Sequence, residues 1–191
     1  MPLPRFDRLA PDARAAILAV ARSHFARDGR DGASLNRIIA DCGISKTSAY
    51  HYFDGKDDLF AAVAADTAAR VLAVLGRWTS VRTADDLWEQ FAAGSARLSG
   101  HLREHPDDRA VLAAAPPAPG QGGEWIAAMV ADGVRIGLID AGPGLELITA
   151  ATAAVIGVAD AQALARPGPA LDHPGEGVPL RTLLERLWTA R

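Results

Sequence analysis

SLNRIIADCGISKTSAYHYFDGKDDL, residues Ser34 to Leu59, is the stretch whose reading decides the fold. Ser34 is placed to cap a first helix, with Ile38 and Ile39 on its inner side. Gly43 ends that helix, at a turn that suits a residue of positive φ. Ser45 is placed to cap a second, short helix from Lys46 to about Tyr52. The exposed side of that helix is expected to carry Lys46, Thr47, Ser48, Tyr50 and His51. Cations and hydroxyls of this kind suit phosphate oxygens and base edges. Helix, glycine turn and polar helix in this order make a helix-turn-helix. Both lysines of the chain, Lys46 and Lys56, lie inside the stretch, against eighteen arginines in all.

Spacing alone is weak, because two short helices joined by a glycine turn occur in many helical proteins. The run Ser45, Lys46, Tyr50, Tyr52, Phe53, Lys56, Leu59 is more specific, and it resembles the N-terminal signature of the TetR family of bacterial transcriptional regulators. Ile17, Ala21, Phe25 and Gly29 of the preceding helix are similar to that family's spacing. The resemblance covers about Ala10 to Val63; the remainder matches only as an all-helical partner domain. Three positions depart from the pattern. Arg30 stands where an aromatic is common, Ala33 where a threonine is common and Ala49 where a leucine is common. Ala49 is expected to thin the packing under the recognition helix.

Charge is distributed unevenly. The chain carries a formal net charge of −3 over 191 residues, which does not suggest a nucleic-acid binder. Residues 1–60 are nonetheless net +1 and the rest net −4. Affinity for DNA would then come from a few placed cations, doubled in a dimer, and would depend on salt. Cys42 is the only cysteine, so an intrachain disulfide is excluded and a reducing cytoplasm fits. The N-terminal stretch lacks the apolar run of a signal peptide. Leu147 to Ala165, with Asp160 as its only charge, approaches the length of a membrane span. Its alanines, threonines and Gln162 favour a buried interface helix over a membrane segment.

Helical periodicity dominates and no alternating strand pattern is evident, so the expected class is all-α. The expected division is a three-helix DNA-binding domain over residues 1–57 and a helical effector-binding and dimerisation domain over residues 58–191. Helices are expected from Pro11 to near Gly29, Lys56 to about Leu75, Ala84 to His105, Asp107 to Ala114, Glu124 to Ile139, Leu145 to Ala165 and Leu180 to Ala190. Pro116 to Gly123 and Pro167 to Val178 read as loops, because their prolines and glycines cannot continue a helix.

The last two helices look built for a partner. Ala153, Gly157 and Ala161 form a small-residue row that permits close helix approach, and Leu183, Leu184, Leu187 and Trp188 form an apolar stripe. The resemblance implies a homodimer through these helices, since two recognition helices read a palindromic operator. The plainer reading is that both helices complete a monomeric core. In the middle of the chain, Trp88, Phe91, Trp125 and Met129, with His101 as a polar group, are candidates to line a pocket for a small apolar effector. Those same residues also suit an ordinary core.

His101-Leu102-Arg103-Glu104-His105 is the sharpest rival signal. On a helix, His101 and His105 share a face as zinc ligands do, and Glu104 would be the base of a metal-dependent hydrolase. A third ligand is not evident, and a helix end stopped by Pro106 explains the pattern as well. Asp57 and Asp58 suit the first turn of a helix. Gly120 to Gly123 lacks the ending of a phosphate loop, and no cofactor motif appears. Cys42 is read first as an inert core thiol and second as a redox switch.

The combined expectation is a cytoplasmic, ligand-responsive regulator, not an enzyme, without cofactor or bound metal. It would act as a homodimer on double-stranded DNA and most often as a repressor. Lys46, Thr47, Ser48, Tyr50 and His51 would face the groove from the helix capped by Ser45. Ser34, Tyr52 and Lys56 would hold phosphates, and Asn36 would sit near the groove edge. A metal-dependent enzyme using His101, Glu104 and His105, or a helical protein-interaction adaptor, are the alternatives.

Overall fold

The computed structural model describes residues 2–115, 122–165 and 180–189. Among them all regular structure is helical: α1 Pro4–Asp7, α2 Pro11–Gly32, α3 Leu35–Asp41, α4 Lys46–Tyr52, α5 Lys56–Ala73, α6 Ala84–Glu104, α7 Pro106–Ala114, α8 Gly123–Arg135, α9 Leu145–Ala165 and α10 Leu180–Trp188. Most of both proline- and glycine-rich loops expected from sequence, residues 116–121 and 166–179, lies outside the described residues.

Two compact units emerge, one of residues 1–71 and 102–116 and one of residues 72–101 and 117–191. The first therefore extends beyond residues 1–57, because α7 packs against α2 and adds Val111 to the same core. That core buries Ile17, Leu18, Ala21 and Phe25 of α2 with Ile38 of α3 and Leu59, Phe60 and Val63 of α5. Phe25 meets Phe60 edge-on, with centroids 5.0 Å apart. Full burial of each ring contributes roughly 2 kcal/mol, and the edge-to-face contact on the order of 1 kcal/mol more. Charge is buried here too. Asp108 of α7, 2% exposed, accepts from Arg70 Nη2 at 2.6 Å and lies 3.3 Å from Arg22 Nε. One carboxylate thus ties α2, α5 and α7 together.

α2 carries a break at Gly29, whose φ of 72° and ψ of 170° are not helical. The helix signal therefore stops where the sequence suggested, and the chain resumes one short turn to Gly32.

In the second unit, Val81, Leu87, Trp88, Ile126, Met129, Val130, Ile139, Ile148, Leu184 and Trp188 form the core. Asp132 of α8 anchors the segment between α5 and α6. It accepts from Trp78 Nε1 at 2.9 Å, Ser80 Oγ at 3.0 Å and the Val81 amide at 2.9 Å, and it pairs with Arg135. Occlusion of the carboxylate works against ionisation, but the donors Arg135, Trp78, Val81 and Ser80 outweigh it and hold the pKa at about 2.

Candidate nucleic-acid interface

The recognition helix α4 is set by its ends. Ser45 has extended backbone, and its Oγ accepts from the Ser48 amide at 3.0 Å, so the expected cap forms. Gly43 turns the chain between α3 and α4 with φ of 67°, a value that disfavours any side chain. Ala49 and Phe53 point inward, 5% and 3% exposed. Lys46, Thr47, Tyr50 and His51 point outward, and Tyr50 is 56% exposed. An exposed tyrosine of that degree on a well-packed helix is unpartnered apolar area beside hydrogen-bonding capacity. Ser48 and Tyr52 are half-buried.

The residues expected to hold phosphates divide. Ser34 occupies the N-cap of α3, but its side chain makes no capping bond, contrary to the expected cap. Its hydroxyl, and the exposed Asn36, remain accessible. Lys56 is half-buried and donates from Nζ to the Asp31 carbonyl at 2.7 Å, so it also fastens the start of α5 to the end of α2. Arg30 fills the place of the common aromatic. It donates to Asp57 Oδ1 at 3.1 Å and lies over the Phe60 ring, 5.5 Å from its centroid. Asp57 is therefore engaged by Arg30 in addition to standing in the first turn of α5.

The alanine at 49 leaves a trace. A cavity of about 10 Å³ lies under α4, lined by Leu35, Ile39, Cys42, Ile44, Ala49 and Phe53 among others. Cys42 is half-buried, and its Sγ–H points weakly at the Ile17 carbonyl at 3.8 Å. Burial, with Asp41 beside it, pushes the thiol pKa up. Reactive thiols are shifted the other way, so the geometry favours the inert reading.

Three groups near this surface escaped the sequence reading. Arg37 is exposed on α3 next to Asn36. His24, 6% exposed, places Nε2 at 2.8 Å from Asp41 Oδ2 and Nδ1 at 3.1 Å from Arg27 Nη2. Arginine only donates, so Nδ1 accepts and Nε2 carries the hydrogen toward Asp41. That link joins α2 to the end of α3, and a sequence has no pattern that announces a bond over seventeen residues. The third group is α1. Phe6 is 3% exposed and packs on Phe53 and Tyr52, with centroids 4.6 and 6.1 Å away. The three-residue spacing of Leu3, Phe6 and Leu9 was its signal.

The candidate effector residues are connected but closely packed. Trp88 stacks on Trp188 at 5.2 Å and meets Phe91 at 5.9 Å. Phe91 reaches Trp125 at 6.2 Å, and Trp125 meets Trp78 edge-on at 4.7 Å. Met129 is fully buried in the same core, whereas His101 lies half-buried on α6 outside it. His105 has left the helix, with φ of −122° and ψ of 75°, and stands at the N-cap of α7. His101 and His105 therefore do not share a helix face, which corrects the metal-ligand geometry expected of them. Among the described residues, no three of His, Cys, Asp or Glu converge as a metal site.

α9 is long and apolar enough to cross a membrane, yet little of it is buried within the chain. Leu147 and Val158 are 61% and 60% exposed. Gly157 and Ala161 lie on the exposed side, while Ala153 is half-buried. On α10 the outcome differs from expectation. Leu184 and Trp188 are 0% and 1% exposed within a single chain, so they serve its own core and not a partner surface. Leu187 packs on that core, and Leu183 is left exposed.

Residues 17–63, which hold α3, α4 and the facing parts of α2 and α5, match the model of bacterial regulatory proteins of the tetR family. The chain thus carries the segment that characterises that family, over residues 17–63. Over 112 residues it is 35% identical to the HTH-type transcriptional repressor Rv1474c of Mycobacterium tuberculosis, a match covering 56% of this chain and 59% of that one. Over 62 residues it is 39% identical to the HTH-type transcriptional repressor AcnR of Corynebacterium diphtheriae, covering 32% and 33%. The matched stretches thus span a third to three-fifths of these relatives. The tetR fold extends further than the identity does. A Shewanella structure described as a tetR family transcription regulator superposes with a TM-score of 0.58 at 18% identity, over 79% of this chain and 84% of that chain. A tetR-family structure from Vibrio parahaemolyticus superposes with a TM-score of 0.55 at 19% identity, over 92% and 96%.

Proposed function

We propose that this protein is a tetR-family transcriptional regulator, a repressor, that binds a palindromic operator in double-stranded DNA as a homodimer in the cytoplasm. One observation carries the reading. Inside the matched residues 17–63, a capped helix offers Lys46, Thr47, Tyr50 and His51 outward from a packed core. A rigid helix with a polar, cationic face is what major-groove readout needs. Ser34, Tyr52 and the remaining N–H groups of Lys56 would fix its register on phosphates, with Asn36 near the groove edge. The exposed apolar side of α9, with Leu147, Gly157, Val158 and Ala161, together with Leu183 of α10, supports pairing with a second copy.

An apolar effector held near Trp88, Phe91, Trp125 and Met129 would regulate the DNA-bound population. It must prefer one conformation by a few kcal/mol to do so. The helices α5 and α6, which carry residues of both compact units, are the segments through which that preference would act. Selection of bound duplexes from a genomic library with purified protein tests the proposal. Enrichment of an inverted repeat supports it, and no enrichment over input refutes it.

A further inference from the structure

We infer that the N-terminal arm, Pro2 to Leu9, is a second DNA-contacting element, which holds the phosphate backbone beside the bases read by α4. The inference rests on α4 being the recognition helix. Its basis is how α1 is docked. The Leu3 amide donates to the Tyr52 carbonyl at 2.8 Å, satisfying an orphan acceptor at the last residue of α4. Phe6 is buried against Phe53 and Tyr52, so the arm is pinned at two points to the end of the recognition helix. Arg5 and Arg8 flank that anchor, three residues apart, and both are exposed. Among the described residues neither arginine pairs with a carboxylate. Arg14, also exposed, lies over the Phe6 ring at 6.0 Å.

Unpaired guanidinium groups on a pinned turn differ from those on a loose tail. Their ordering cost is largely met on folding, so a phosphate gains two or more donors without immobilising a free segment. Arginine's planar fork also suits phosphate oxygens better than a lysine would. The occupant is the sugar-phosphate backbone of duplex DNA, whose phosphates adjoin any base set read by Lys46 and Tyr50. The arm would add affinity and register without adding base preference.

The test is fluorescence anisotropy with two labelled 40-bp duplexes, one of random sequence and one selected by the wild-type protein, over a salt series. Arg5→Gln/Arg8→Gln should shallow the slope of log K against log salt by about 1.8 for each arm that reaches DNA. Arg5→Lys/Arg8→Lys should keep the wild-type slope, which separates charge from folding. Arg77→Gln/Arg82→Gln, a charge-matched pair in the second unit, should leave the slope unchanged. A slope for Arg5→Gln/Arg8→Gln equal to wild type overturns the arm proposal alone. Absence of binding by the wild type to either duplex would overturn the DNA-binding reading beneath it.

Discussion

The Trp188 indole N–H donates to Thr152 Oγ1 at 2.9 Å inside a core where both residues are at most 1% exposed. This bond fastens α10 to α9, while the same indole stacks on Trp88 of α6. Trp188→Phe keeps much of the apolar volume but leaves the threonine hydroxyl without its donor. A buried group stranded in this way costs about 1–3 kcal/mol. The urea midpoint should fall accordingly, and an unchanged midpoint would show that the bond contributes nothing.

A second prediction concerns acid. The Asp132 pKa of about 2 lies below its ordinary value of 3.8, so its ionised form is favoured by folding. The stabilisation is present above about pH 4 and is lost as pH falls toward 2, on the order of 2 kcal/mol in all. Asp132→Asn should lose most of it at neutral pH and flatten the dependence of stability on pH between 4 and 2. Parallel pH curves for the two proteins would remove Asp132 from that role.

Assembly is the third. Leu147 and Val158 contribute nothing to the core of one chain, so charge placed there need not unfold it. The wild type should be a dimer at micromolar concentration by light scattering. Leu147→Glu/Val158→Glu should be a monomer with unchanged helical circular dichroism. A monomeric wild type, or a variant that stays dimeric, contradicts an interface on this face.

The cavity under α4 yields the fourth. Ala49→Val adds two methyl groups toward a space of about 10 Å³, roughly the room one needs. The gain of about 0.8 kcal/mol per buried carbon is partly offset by the lower helix propensity of valine. A net rise of up to about 1 kcal/mol in unfolding free energy is expected. A net loss would mean that the walls cannot yield and that alanine is the better fit there.

Local signals account for what was readable in advance. α4, its Ser45 cap and the Gly43 turn depend on residues within ten positions of one another, and sequence spacing reports these directly. α9 was bounded correctly by the glycine-proline break before it and its long apolar run. The features missed depend on distant partners. Nothing near Asp108 announces Arg22 and Arg70, and nothing near Leu184 distinguishes a core stripe from an interface stripe. Both α10 patterns have the same period, and only packing against Trp88 and Thr152 decides between them. His105 differs from expectation for a related reason: helical periodicity runs through it in the sequence, but it stands at the N-cap of the new helix that Pro106 begins.

Whether α4 reads DNA is decided at Tyr50, whose side chain is 56% exposed and carries little of the fold. Anisotropy titrations of the wild type and Tyr50→Ala against the selected duplex and a random duplex provide the measurement. Tyr50→Ala should lose at least tenfold in affinity for the selected duplex, about the scale of one lost base contact, and keep a nearly unchanged affinity for random DNA. Equal affinities of the two proteins for the selected duplex would contradict it, and the recognition surface would have to lie elsewhere.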